Sequence, residues 1–241
     1  MKPPILSVNQ IEERADEFLI EYTRITGNPI VLPVPIEKVI LQVLDIPVEW
    51  EPIPTNETRQ IISKFVQPTI TTPARIILNE NLVTTKLDEC PGLENTALAH
   101  EAGHAIFHNE RSLSQQLALT LPLPAASLDS DLNVFADRSQ FAQALQALGP
   151  SGDDWWREWQ AHTFMRFVLM PRRLLLPFIE EQGPQGPLTW PFLYRLRERL
   201  AVTISALVVH LEKLGIMRII EGRVIRDLRL YRDEQSEFRM K

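Results

Sequence analysis

The sequence predicts an α+β fold: a small, mostly antiparallel sheet packed on a histidine-bearing helix and a second helix, followed by a largely helical C-terminal region. Three observations predict it. Apolar residues recur at helical spacing towards both ends of the chain. Three short β-type runs, bounded by Pro, Asn and Thr clusters, follow the first helices. The stretch "NTALAHEAGHAIFH" (95–108) then places three of the five histidines, His100, His104 and His108, four residues apart. With 241 residues, 44% of them hydrophobic, the chain can bury a substantial core. We expect one domain over residues 1–180, carrying an insertion at about 111–152, and a second region over 188–241.

Element by element, "VNQIEERADEFLIEYTRIT" puts Ile11, Ala15, Phe18 and Tyr22 on one helical face. "GNPIVLPVP" interrupts, and "IEKVILQVLD" resumes a helix. "IPVEWEPI", "RQIISKFVQ" and "ARIILNE" read as strands. The histidine helix should start near Asn95 or Thr96, either of which can cap it. In the insertion, "LTLPLPAASLDSD" reads as a loop and "VFADRSQFAQALQAL" as a short helix before a "GPSGDD" break. The second helix runs from Asp153 and must stop at Pro171, which disfavours helical geometry in the residue before it. "EEQGPQGPLTWP" reads as a linker, "FLYRLRERLAVTISALVVHLEKLG" as one or two helices, and "IMRIIEGRVI" as a hairpin turning at Glu221-Gly222.

The bulk chemistry narrows the class. No segment approaches the 18 apolar residues of a membrane span, and the N-terminal residues lack a signal-type apolar run, so a soluble cytoplasmic protein is the expectation. One cysteine, Cys90, excludes an internal disulfide and a multi-cysteine zinc cluster, leaving His and carboxylate as metal ligands. Charge changes sign along the chain. Residues 1–160 carry 11 Lys and Arg against 22 Asp and Glu, and residues 161–241 carry 14 against 9. The basic end suits nucleic acid or an acidic protein surface, but a solvated helical face explains it as well.

His100, Glu101 and His104 form an H-E-x-x-H pattern. Helical residues four apart lie about 40° apart around the axis and about 6 Å along it, so both imidazoles can address one ion. Glu101 stands about 100° from His100 on the flank of that face, placed to take a proton from the attacking water rather than to ligate. Gly103 costs the helix about 1 kcal/mol of propensity, so close approach by another backbone, not helix stability, explains it. His108 lies about 12 Å along the axis from His100, too far to share the ion, and reads as a helix-end residue or one that orients a ligand. Phe107 and Glu110 stand where a metzincin needs Gly and His.

A hydrolytic zinc site needs a third protein ligand. In "WREWQAHTFMRFVLMP", Glu158 and His162 share a face with Ala161, Met165 and Leu169; either could serve, with Asp131 and Asp137 as more remote choices. Glu158 could equally be an exposed acid near the helix start, favoured there by the dipole. Together, "TALAHEAGHAIFH" and "EWQAHTFMRFVLMP" resemble the ImmA/IrrE metallopeptidases, whose pattern is T-x-A-H-E-x-G-H followed by E-x-[EQ]-A-[ND]-x-F-A-x-x-L-L-M-P. The resemblance spans the N-terminal helices, the "RIILN" strand and both motif helices. Here Leu98 is an extra residue, His162 stands at the Asn/Asp position, Met165 replaces Ala, and the gap between motifs is longer.

The resemblance implies a zincin-like core in which His100, His104 and Glu158 hold Zn2+, or another divalent metal such as Mn2+, with Glu101 as general base. His162 and His108 would then stand behind the ligands. It also implies a cytoplasmic anti-repressor protease acting in transcription regulation and stress response by cleaving a helix-turn-helix (XRE-type) repressor. Substrate could add as a strand along "ARIILNE" if that strand has a free edge. The rival is a non-catalytic zinc-containing regulator that binds a repressor, an antitoxin or DNA through 188–241, where "LAVTISALVVHLEKLGIMRIIEGRVI" resembles the second half of a winged helix. Against DNA, Leu207, Val208, Leu211 and Leu214 form an apolar stripe where a recognition helix needs polar residues. Cys90 reads as an ordinary loop thiol rather than a fourth ligand, and Trp155, Trp156 and Trp159 as core packing rather than a substrate groove.

Overall fold

The structure, a computed structural model, describes residues 5–54, 60–81, 92–108, 118–121, 153–182, 188–220 and 223–226. Within these, α1 (Val8–Thr26) opens on a capping box in which the Ser7 hydroxyl accepts from the Gln10 N–H, and it closes on Gly27 at φ 72°. The Pro-rich bridge contains a cis Leu32–Pro33 bond and leads into α2 (Ile36–Leu44). Strands β1 (Val48–Glu51), β2 (Gln60–Val66) and β3 (Arg75–Asn79) follow as the β-type runs require.

The sheet order is β1-β3-β2-β4, where β4 is Ala118–Leu121. β1 runs parallel to β3, and the other two pairings are antiparallel, so the sheet is mostly antiparallel as expected. Two expectations are corrected. Part of "LTLPLPAASLDSD" is strand, not loop, because Leu119 and its neighbours pair antiparallel with β2, as the edge of the sheet among the described residues. "ARIILNE" has no free edge: β3 lies between β1 and β2, consistent with fully buried Ile76, Ile77 and Leu78. The rest of the insertion lies outside the described residues.

The histidine helix, α3 (Leu93–Phe107), buries residues on every side, the signature of a helix inside a core. It packs on β2 and β3 on one side and on α4 (Asp153–Leu169) on the other, while α1 covers α4. The start of α3 differs from expectation. Neither Asn95 nor Thr96 caps it; the helix begins at Leu93, after Gly92 at φ 82°. Glycine is required there twice over, since a Cβ would also fall 2.3 Å from the Val202 backbone nitrogen. Asn95 instead donates to the Ala201 carbonyl at 3.1 Å, and the Thr96 hydroxyl donates to the Gly92 carbonyl at 2.7 Å.

α4 stops before Pro171 as predicted. Arg172–Gln182 then form a further helix, α5, which includes the first residues of the expected linker, Glu180–Gln182. It is tied back to α1 by a two-pronged ion pair between Arg172 and Glu12, at 2.9 and 3.2 Å. The C-terminal apolar run forms two helices, α6 (Trp190–Leu200) and α7 (Ile204–Lys213), separated at Ala201 (φ 50°) and capped by the Thr203 hydroxyl. A hairpin of β5 (Met217–Ile220) and β6 (Arg223–Arg226) follows, with Ile220 paired to Arg223 on either side of Glu221-Gly222. One apolar cluster runs from Ile11 through Leu98 and Phe164 to Leu207 and Met217, so α6 and α7 help to hold the start of α3. No described helix is long and apolar enough to cross a membrane.

Candidate metal centre

Gly103 brings the two motif helices together. A Cβ there would lie 2.9 Å from the Ala161 Cα and 3.2 Å from its carbonyl oxygen, so only hydrogen allows α4 to approach this closely. The backbone contact sets Glu158, three residues before Ala161, over the histidine face of α3. The Nε2 atoms of His100 and His104 are 2.9 Å apart. Glu158 Oε2 is 3.4 Å from His100 Nε2, and Glu158 Oε1 is 3.4 Å from His104 Nε2. A tetrahedral ion with bonds of about 2.0–2.1 Å separates its ligand atoms by roughly 3.3–3.4 Å. Each imidazole meets a different oxygen of Glu158 at that spacing, and the 2.9 Å between the two Nε2 atoms needs a small opening of one imidazole.

His162 joins the same cluster. Its ring centroid is 4.3 Å from that of His100, and one donor atom each from His100, Glu158 and His162 lie within 4.8 Å of one another. His104, expected as a ligand, is not a member of this triad; it adjoins it through His100 Nε2 at 2.9 Å and Glu158 Oε1 at 3.4 Å. A His/Glu/His group here can hold a metal ion. Burial, then the proximity of His100, pushes His162 well below the ordinary histidine range despite Glu158, keeping it neutral as a ligand must be. Burial opposes ionisation of Glu158 too, but the adjoining His100 and His104 outweigh it and hold the carboxyl well below its usual value.

Glu101 is fully buried and takes no part in the donor cluster. Its Oε1 accepts a 2.7 Å hydrogen bond from Ser63 Oγ, while Oε2 has no hydrogen-bond partner among the described residues. Burial is the largest influence and pushes its carboxyl up to about 7; His104, the Ser63 hydroxyl and the Phe65 backbone pull it down, and Glu158 pushes it up. Ser63 reaches inward from β2 beside an irregularity in the β2–β4 register between Ile61 and Ser63, where Ile62 and Ser63 are both fully buried although consecutive. Such irregularities re-aim side chains beside functional sites.

His108 ends α3 and does not enter the donor cluster. Its Nδ1 is 3.1 Å from His104 Nδ1, and its Nε2 is 2.9 Å from Gln160 Oε1, so it links His104 to Gln160. Burial, followed by His104, lowers it to about 3. Cys90, Asp131 and Asp137 lie outside the described residues. Trp155, Trp156 and Trp159 pack on one another, with ring centroids 4.7–6.3 Å apart, and each is half-buried. Of these three only Trp159 rests against the core, so the expectation of core packing is met in part.

Sequence reasoning missed Ser63 and Gln160. Ser63 carries a weak signal, as a small polar residue inside an apolar strand. Gln160 carries none, because on an isolated helix nothing distinguishes it from a solvated residue. No protein-family model matches this chain, and no curated protein matches it.

Proposed function

We propose that this chain is a zinc-dependent endopeptidase of bacterial regulatory type whose substrate is a helix-turn-helix repressor. The observation that carries the hydrolase reading is the placement of Glu101, a buried carboxyl pushed up to about 7 with one oxygen unpartnered among the described residues, near His104 and Glu158 of the donor cluster. Of the first-row ions, zinc suits two imidazoles and a carboxylate at tetrahedral spacing. His100, His104 and Glu158 would hold it. When bound, zinc acidifies water and polarises a carbonyl.

The chain's residues then divide the work. Glu101 Oε2 takes the proton of the attacking water and delivers it to the leaving amine, which requires a base poised near neutral pH. Ser63 holds the other oxygen, fixing the direction of Oε2. The substrate segment adds as a strand to β4 rather than β3, since β4 is the sheet edge among the described residues and lies next to the strand that carries Ser63. The repressor as substrate rests on the ImmA/IrrE resemblance alone. The test is co-expression of the protein with the helix-turn-helix repressor encoded nearest to it, beside Glu101→Gln. A shortened repressor with the parent only supports the reading, and equal cleavage by both contradicts it.

One observation favours a second reading, a zinc-containing regulator that binds its partner without cleaving it. His162 lies with His100 and Glu158 as a donor, and with His104 it would complete a four-ligand zinc site, which is closed. His162→Asn separates the two: an open site keeps its hydrolysis in the variant, whereas a closed site is silent in the parent and gains a position for water in the variant. Contact with DNA through α7 is disfavoured in either reading, because Leu207, Val208, His210 and Leu211 are spent on the core.

A further inference from the structure

A chain of ring nitrogens runs away from the donor cluster, and only one end of it has a fixed polarity. His104 presents Nε2 to His100 and Glu158 and Nδ1 to His108, which in turn presents Nε2 to Gln160. All three side chains are buried, at 4%, 3% and 0% exposure, so solvent cannot reassign their protons cheaply. A neutral imidazole has one N–H and one bare nitrogen. Gln160 turns its carbonyl oxygen, an acceptor only, towards His108. His108 must therefore carry its proton on Nε2, leaving Nδ1 bare. The bare Nδ1 obliges His104 to carry its own proton on Nδ1, and this leaves His104 Nε2 bare, the state a metal requires.

We propose that Gln160 and His108 form a positioning relay that fixes His104 in its metal-ligating tautomer before any metal arrives. The relay rests on the zinc-site reading for its purpose, though its geometry stands without it. It also joins the two helices of the centre, since Gln160 lies two residues from Glu158 on α4 and His108 ends α3. His100 differs: its Nδ1 has no hydrogen-bond partner among the described residues. In the metal-free protein His100 Nε2–H donates to His104 Nε2, and His100 has to move that proton to ligate. His104 is thus the preset ligand and His100 the adjustable one. If the Gln160 amide were reversed, every proton in the chain would shift by one site and His104 Nε2 would be blocked.

The test uses the full-length protein, zinc alone as the probe, and two readouts independent of hydrolysis. Zinc dissociation constants are measured by competition with a chelator for the parent, His108→Leu, Gln160→Met, the two combined, and Gln160→Glu. Side-chain nitrogen NMR of the metal-free parent and of Gln160→Met reports the tautomer of His104. The relay predicts that His108→Leu and Gln160→Met each weaken zinc by about 10- to 100-fold. Their double variant is no worse than either single one, because both cut the same chain. Gln160→Glu, which can only accept, binds as tightly as the parent. His104 is found with its proton on Nδ1 in the parent and redistributed in Gln160→Met. Should the parent bind zinc while His108→Leu and Gln160→Met match it within a factor of about three, the relay is overturned and the hydrolase reading survives. Should the parent bind no zinc, both fall.

Discussion

Gly103 of α3 and Ala161 of α4 touch backbone to backbone, so closely that one methyl group does not fit between them. Everything at the centre depends on that contact, because it determines how near Glu158 comes to the two imidazoles. Gly103→Ala gains about 1 kcal/mol of helix propensity but loses about 1–3 kcal/mol to overpacking against backbone that cannot swing away. We expect a net loss of thermal stability together with weaker zinc binding, measured by calorimetry with and without metal. A variant that is more stable and binds zinc unchanged would mean the helices have room to spare.

Glu158→Ala removes the carboxylate that answers both imidazoles at 3.4 Å. Zinc affinity should fall by at least about 100-fold, since two helical histidines alone form an incomplete site. The fold should persist, because Glu158 sits outside the apolar cluster. Metal content after dialysis and far-ultraviolet circular dichroism check the two halves of this expectation.

Ser63→Ala deletes the hydroxyl that donates to Glu101 Oε1. That bond favours the ionised carboxylate, so its loss raises the value of Glu101 above the parent's. Hydrolysis at neutral pH should drop, and the acidic limb of the kcat/KM profile should move to higher pH. A limb that stays in place would separate Ser63 from the proton transfer.

His210 gives a pH prediction away from the centre. Buried, with Nε2–H donating to the Met170 carbonyl at 2.9 Å, it is lowered to about 3, chiefly by burial and then by Arg166. The unfolded chain takes up this proton near the ordinary value of about 6.5, and the folded chain refuses it until about 3. Stability is therefore full above about 6.5 and falls on acidification through that window, by about 1.4 kcal/mol per pH unit for this one group. His210→Gln keeps a donor for Met170 and does not titrate. Urea unfolding from pH 6.5 to 4.5 should show a shallower decline for the variant; parallel curves would place the acid sensitivity elsewhere.

The sequence made the helices legible where periodicity and a stop signal coincide, as in α1 with Ser7 and Gly27 or α4 with Pro171. Ligand spacing within α3 was equally plain, because a single helix fixes it. What could not be read depends on contacts between elements distant in the chain. Gly92 replaces a side-chain cap only because Val202 lies against it. "ALTL" becomes a strand only because β2 offers an edge, and "ARIILNE" loses its edge only because β1 pairs in parallel beyond it. Gln160 acquires a role from His108, 52 residues away.

The central claim is that His100, His104 and Glu158 share one divalent ion, and X-ray anomalous scattering at the zinc edge from crystals of the zinc-loaded protein tests it most directly. The account predicts one peak per chain, within bonding distance of both Nε2 atoms and of the Glu158 carboxylate, with Glu101 beside it but not bonded. A peak that lies away from these three side chains, or none at stoichiometric zinc, would contradict it.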